Sequence, residues 1–500
     1  MNVAQALERS ARFFPDHAAL QCKGREWSYA ELEGAASRAA GGFARLGLES
    51  GDRACLLLPN GPEFLIAYYG LLKLGAIPIS LNVMLKADEV AYIAGDAGAR
   101  LFLAHRALLQ NLPSRDRMPT VTNLVVVGGE APAAARAFEE VVGDGEPRRA
   151  IDLERDATAA ILYTSGTTGR PKGAMLSHAN VVANSYATNH CLEMTTEDRL
   201  LCALPLFHVF GQNFIMNASV NAASTLLLHE RFVPDDLVAA FGSDAPTIFY
   251  GVPTMFIYLL NDPRVTPELV GGVRTWFSAA ATMPQEVSER WHERFGRSVA
   301  EGYGLTECSP FACYNHEWRF KFGSVGTPVE NVEVKILDAE DREVPVGELG
   351  EICIRGPIVM QGYFGRPEDT AQALRGGWLH SGDLGKVDED GYVFIVDRVK
   401  DMINVAGFKV YPREVEEVLF THRAVKEAAV VGMPDALYGE QVKAFVVTHS
   451  GADVDPDGLI VYCRERIAEF KVPRAVELVE ALPKSPTGKV LKRELRGDAR

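Results

Sequence analysis

Residues 163–173 read YTSGTTGRPKG and follow directly on the apolar run Ala159–Leu162. Thr164, Ser165, Gly166, Thr167, Thr168 and Gly169 form a loop crowded with N–H and O–H donors. Glycine permits positive φ and close backbone approach, so such a loop can wrap phosphate oxygens. Lys172 adds a point charge. The loop is not a Walker A loop, because no GxxxxGK[ST] occurs in the chain, and it lacks the GxGxxG dinucleotide fingerprint. A strand that runs directly into such a loop makes it a candidate site for phosphate.

The flanking sequence agrees. Upstream, SYAELEGAASRAAGGFARLGL opens with Ser28 and Glu31 spaced as a capping box, and Gly47 closes the helix. DRACLLLPN predicts a buried strand, PEFLIAYYGLLKLG a helix and AIPISLN a strand, the alternation of a parallel sheet. The pattern recurs at ARLFLAHR, LVVVGG and AILYT, and the Ala-rich APAAARAF near residue 131 predicts a surface helix. From about Gly323 the texture becomes short β runs broken by Gly, Pro and Asp, which predicts a small antiparallel barrel or sandwich. After Arg398 a compact α+β unit follows. The expected architecture is α/β and multi-domain: a large N-terminal domain, 1–397, of two α/β lobes plus a β-barrel, and a small mobile α+β domain, 398–500.

The chain has 500 residues, which suits two or three domains. Its net charge of −15 disfavours nucleic acid as a partner. The apolar stretch Phe64–Leu72 stops at Lys73, short of the roughly 20 residues that a bilayer requires, so no transmembrane segment is expected. The N-terminus lacks a signal-peptide core. Eight cysteines without a CxxC pair predict reduced core thiols and a cytoplasmic protein.

Other stretches carry chemistry. In EGYGLTE (301–307), Tyr303 suits stacking on a base and Glu307 suits a hard cation. Asp383, in HSGDLG, is either a turn former or an acceptor for two ribose hydroxyls. Lys489, in SPTGKVLKREL, is either a surface charge or a cation that draws two anions together. His208, in PLFHVFG, is either a core histidine or part of an acid pocket.

Seven motifs occur in one order: YTSGTTGRPKG (163–173), PLFHVFG (205–211), EGYGLTE (301–307), GELGEICIRG (347–356), GWLHSGDLG (377–385), DRVKDMINVAGFKVYPREVE (397–416) and PKSPTGKVLKRELR (483–496). In this the chain resembles the adenylate-forming superfamily of acyl-CoA synthetases, peptide-synthetase adenylation domains and beetle luciferases. The resemblance implies ATP, Mg²⁺ and CoA as ligands of an acid–thiol ligase. It implies that residues 164–169, Lys172, Ala280, Glu301, Gly302, Tyr303, Gly304, Thr306, Asp383, Arg398 and Lys489 hold ATP and AMP, with Thr164 and Glu307 on Mg²⁺. Lys489, Glu307, Thr306 and His208 would serve catalysis, Lys400 the hinge, and Gly407 and Phe408 the CoA step. His208, Gln212, Ala279 and Ala281 would line the acyl pocket.

Three positions depart from the family pattern. SAAATMP (278–284) puts Ala279 and Ala280 where glycine is usual, Asn404 stands where some relatives have lysine, and Lys409 where glutamine is common. The expected reaction converts acid and ATP to acyl-AMP and pyrophosphate, then acyl-AMP and CoA to acyl-CoA and AMP. The pocket residues, mostly apolar or small, favour a fatty or hydrophobic aromatic acid over a dicarboxylate, with a medium- or long-chain fatty acid as the first expectation. An aryl acid, a carrier-protein acceptor or a non-catalytic acyl or nucleotide sensor are the alternatives. A homodimer and peripheral membrane contact are both compatible with this sequence.

Overall fold

A computed structural model describes residues 1–164, 170–398, 401–435, 438–452, 454–485 and 488–497. The predicted N-terminal elements form where the pattern placed them. Ser28 and Glu31 make both hydrogen bonds of the capping box that starts the Tyr29–Arg45 helix. The strands Arg53–Leu57, Ile77–Ser80, Leu101–His105 and Asn123–Val127, with the short Arg136–Ala137, form a parallel five-stranded sheet.

Two local expectations fail. The AILYT run lies in Thr158–Thr164, which pairs antiparallel with Lys172–Ser177 instead of joining the parallel sheet. The phosphate-loop sequence thus connects two strands of a hairpin. APAAARAF makes turns and a two-residue strand, with helix starting only at Phe138. Alanine is the strongest helix former, but propensity is a weak force that tertiary context overrides, and the strand pairing of Arg136–Ala137 prevails here.

The other large sheet has nine strands. At its centre Val299–Tyr303, Thr275–Ser278, Ile248–Gly251, Arg199–Cys202, Thr225–Leu228 and Ala18–Cys22 run parallel. The residues after Gly323 build a four-stranded antiparallel sheet from Glu333–Leu337, Gly350–Arg355, Leu379–Val387 and Val393–Arg398. A separate sheet with its own apolar core begins at Ile403, centred on the Val425–Asp435 and Gly439–Thr448 pair. Among the described residues no helix is long and apolar enough to cross a membrane. All eight cysteines are buried and unpaired.

Lys73, which ends an apolar run in the sequence, is not a surface stop. Its side chain is 0% exposed and its Nζ lies 2.5 Å from Glu8 Oε1 and 2.8 Å from Glu33 Oε1. Glu8 also accepts from the Ala150 N–H at 2.7 Å. This triad ties the Gln5–Phe13 helix and the Tyr29–Arg45 helix to the Pro62–Lys73 helix. Removing one partner of a buried ion group leaves the remaining charges uncompensated, which costs about 3–5 kcal/mol. Lys73→Ala is therefore expected to lower the thermal midpoint by several degrees, as read by calorimetry. A midpoint within one degree of the wild type would show the triad to be energetically idle.

Candidate active site

Four parallel strands deliver the site. Arg199–Cys202, Ile248–Gly251, Thr275–Ser278 and Val299–Tyr303 are neighbours in register. The loops leaving their C-terminal ends carry residues 205–211, 252–254, 279–281 and 304–307. The crevice beyond the carboxyl ends of parallel strands is where open α/β sheets bind ligands.

Glu307 lies in the short 3₁₀ turn that Thr306 opens. Its Oε1 accepts from the Tyr363 hydroxyl at 2.9 Å and from Thr164 Oγ1 at 3.3 Å. A carboxylate and a hydroxyl oxygen side by side are hard donors, so Thr164 and Glu307 fit a magnesium ion. Lys172 pairs with Asp369 and stands 5.5 Å from the Tyr363 ring. Ser165, Gly166, Thr167, Thr168 and Gly169 lie outside the described residues, as does Lys400.

Tyr303 and Asp383, 80 positions apart, meet through a 2.8 Å hydrogen bond from the phenol to Oδ2. Arg398 Nε holds Oδ1 of the same carboxylate at 3.0 Å. Burial, then the Asp383 charge, pushes the Tyr303 phenol far above its ordinary value. Gly302 pairs with Tyr314, and Gly304 packs so closely on Pro310 that a Cβ would lie 1.5 Å from its carbonyl oxygen. Only glycine permits that approach.

His208, expected at the acid end, follows the Arg199–Cys202 strand. Its Nδ1 accepts from the Phe210 N–H at 3.2 Å, which leaves Nε2 to carry the ring proton. Burial and the nearby Lys489 charge push its pKa down to about 3, so the imidazole is neutral at physiological pH. Lys489 therefore lies within electrostatic reach of His208, although 281 positions separate them. The residue before it, Gly488, has φ of +77° and packs against the Val252 and Thr254 side chains. The C-terminal segment thus reaches into the N-terminal crevice in this conformation.

The proposed acyl-pocket residues do not all converge. Phe210–Asn217 is a buried π-helix, a form concentrated at functional sites. Gln212 on it points to the other lobe, with Nε2 donating to Ser80 Oγ at 2.8 Å. Phe210 and Phe214 instead face Tyr250, Phe277 and Phe311, with centroids 4.6–6.4 Å apart. The i, i+4 spacing of Phe210 and Phe214 was the available signal for this face. Ala279 is half-buried and Ala281 is exposed. Ala280 has φ of +72°, a glycine-like conformation kept despite its methyl group, which costs about 1–2 kcal/mol. Gly407 and Phe408 sit on an exposed hairpin of the C-terminal sheet, where Phe408 stacks on Phe470.

Comparison with known proteins accounts for this arrangement. Residues 7–364 match the family described as AMP-binding enzyme, and residues 414–489 match the AMP-binding enzyme C-terminal domain. The chain belongs to the AMP-binding enzyme family. It is 35% identical to a long-chain-fatty-acid–CoA ligase of Bacillus subtilis (strain 168), across 98% of this chain and 93% of that protein. It is 36% identical to a feruloyl-CoA synthase of Amycolatopsis sp, across 98% and 97% respectively. Among solved structures it superposes on an anthranilate CoA ligase in complex with anthranoyl-AMP, with a TM-score of 0.94, 30% identity and coverage of 100% and 97%. ATP-bound MatB from Rhodopseudomonas palustris gives a TM-score of 0.91 at 33% identity, covering 100% and 99%.

In this AMP-binding enzyme Glu301 stands behind the crevice as a buried carboxyl. Its Oε2 accepts from the Met283 N–H at 3.1 Å, while its Oε1 has no hydrogen-bond partner among the described residues. Burial raises its pKa to about 7, against the partial opposing pull of Arg413. The folded state therefore holds this proton more tightly than the unfolded chain does. Stability falls as pH rises from the ordinary 4.5 toward about 7, then levels off. Glu301→Gln removes the ionisation and is expected to raise the thermal midpoint at pH 8 but hardly at pH 5. The full difference is roughly 3 kcal/mol by linkage. Equal shifts at both pH values would refute the assignment.

Proposed function

We propose that this chain, an AMP-forming acid–CoA ligase, activates an apolar monocarboxylic acid, foremost a medium- or long-chain fatty acid. The carrying observation is the aromatic face of Phe210, Phe214, Phe277 and Phe311, joined to a carboxylate end at His208 and Lys489. Among the described residues, the ring partners of Phe214 are Phe210, Tyr250, Phe277 and Phe311, and none of these carries a charge for a second carboxylate. An aryl acid is the second reading, because the same rings suit a planar partner by stacking and edge contacts.

The acid carboxylate and the α-phosphate of ATP are both anions, and Lys489 between them offsets their repulsion as the acyl–phosphate bond forms. Pyrophosphate leaves, and AMP becomes the leaving group that the carboxylate lacked. CoA thiol then attacks the acyl carbon and AMP departs. Asp383 and Arg398 receive the ribose, Tyr303 the base and Thr306 the α-phosphate. Magnesium, when bound at Thr164 and Glu307, supplies charge neutralisation on the phosphates. The chain's own share is mostly orientation, which can remove a large entropic part of a barrier. The large domain ends at residue 397, with Lys400 as the hinge of domain 398–500. Gly407 and Phe408 serve the CoA step after that domain turns.

The test is ATP–pyrophosphate exchange over an acid panel, followed by thioester formation with CoA. If the pocket is apolar, kcat/KM climbs about fourfold per added carbon at full burial, then levels off. Acetate outrunning every longer acid would overturn the fatty reading, and a maximum at cinnamate-like acids would favour the aryl one. Phosphopantetheine on a carrier protein outcompeting CoA would instead mark a carrier-loading enzyme.

Lys489→Ala is expected to reduce acyl-AMP formation at least a hundredfold while sparing thioester formation from supplied acyl-AMP. The measurement is single-turnover kinetics on each half-reaction. Equal losses in both halves would count against the split.

A further inference from the structure

The GELGEICIRG segment carries a carboxylate, Glu351, for which the reaction above has no use. It sits on the strand Gly350–Arg355, opposite the strand Leu379–Val387 that bears Asp383. The ladder between them is irregular. Glu351 pairs with Leu384 and Cys353 with His380, so Ile352 alone faces Ser381, Gly382 and Asp383. The Leu379–Val387 strand therefore bulges at the turn presenting Asp383, and bulges of this kind re-aim a side chain.

Glu351 holds the bulge. Its Oε1 accepts from the Gly382 N–H at 2.9 Å. Its Oε2 lies 2.8 Å from His380 Nδ1 and 3.2 Å from Arg375 Nη2. Ser381 Oγ donates to the Ile352 carbonyl at 2.6 Å and accepts from the Asp383 N–H at 3.1 Å. Glu351, Cys353 and His380 also bring three metal-type ligand atoms together, but the Arg375 guanidinium already supplies the cation at this carboxylate.

We infer that Glu351 is a positioning residue for nucleotide recognition, clamping the Ser381–Asp383 bulge so that Asp383 meets the ribose. This rests on the proposed role of Asp383. A charge-assisted hydrogen bond to a backbone N–H is lost on truncation, and about a tenfold effect is expected.

The readout is the ratio of KM for 2′,3′-dideoxy-ATP to KM for ATP in pyrophosphate exchange, with kcat recorded beside it. Glu351→Ala is expected to shrink the wild-type ratio about tenfold through a higher KM for ATP, with kcat for ATP within about threefold. Glu351→Gln, whose amide oxygen still accepts from Gly382, is expected to keep most of the ratio. If Glu351→Ala does not fold, Glu351→Asp keeps the charge for Arg375 and His380 but is one methylene too short for Gly382, and carries the same expectation. Combining Glu351→Ala with Asp383→Ala should lower the ratio no further than Asp383→Ala alone. If Asp383→Ala lowers the ratio but the Glu351 variants do not, the positioning role is wrong. If Asp383→Ala itself leaves the ratio unchanged, the ribose assignment fails and takes this inference with it.

Discussion

The site depends on one constraint, the parallel register of four neighbouring strands. Parallel pairing obliges successive strands to finish on the same edge of the sheet. Here that edge receives the loops after Cys202, Gly251, Ser278 and Tyr303. His208, Val252, Ala280 and Glu307 are scattered over a hundred positions of sequence, yet they share one crevice because their strands share one direction. The other lobe contributes Thr164 from the end of a hairpin strand, and the small antiparallel sheet contributes Asp383 and Arg398.

Buried charge is the recurring cost of this arrangement. Lys73 is compensated by two carboxylates, and Asp383 by Arg398 and the Tyr303 hydroxyl. Glu301 is not fully compensated, since one of its oxygens has no partner among the described residues. A buried polar atom left unpaired is costly, and such costs concentrate where function constrains the sequence. Ala280, held at positive φ, belongs to the same class of local expense.

Much of this was legible in the sequence because glycine, hydroxyl and carboxylate residues at fixed spacing leave few other interpretations. The capping box at Ser28 and the alternation through Leu101–His105 were direct consequences of periodicity. What escaped notice had physical reasons. An apolar run ending in lysine looks the same whether the lysine is solvated or meets Glu8 and Glu33 from other helices, so the buried triad at Lys73 has no signal in the sequence. Gln212 and Phe214 both follow His208 closely, and only the unusual π-helical winding decides that Phe214 faces the rings while Gln212 faces Ser80. AILYT has the composition of any buried strand, and its partner, Lys172–Ser177, fixed its direction.

Arg398 ends the last strand of the small antiparallel sheet, five positions before the C-terminal sheet begins at Ile403, and it is the ladder partner of Asp383. The carboxylate proposed to hold the ribose is therefore hydrogen-bonded and ion-paired to the very end of the link on which the C-terminal domain hangs. The domain motion proposed above would act on the strand through this rung. By reciprocity, whatever a domain orientation does to nucleotide affinity, bound nucleotide does to the equilibrium between orientations. If the domain turns as proposed, nucleotide occupancy and domain orientation are two faces of a single coupling energy, and departure of AMP would also reset the domain.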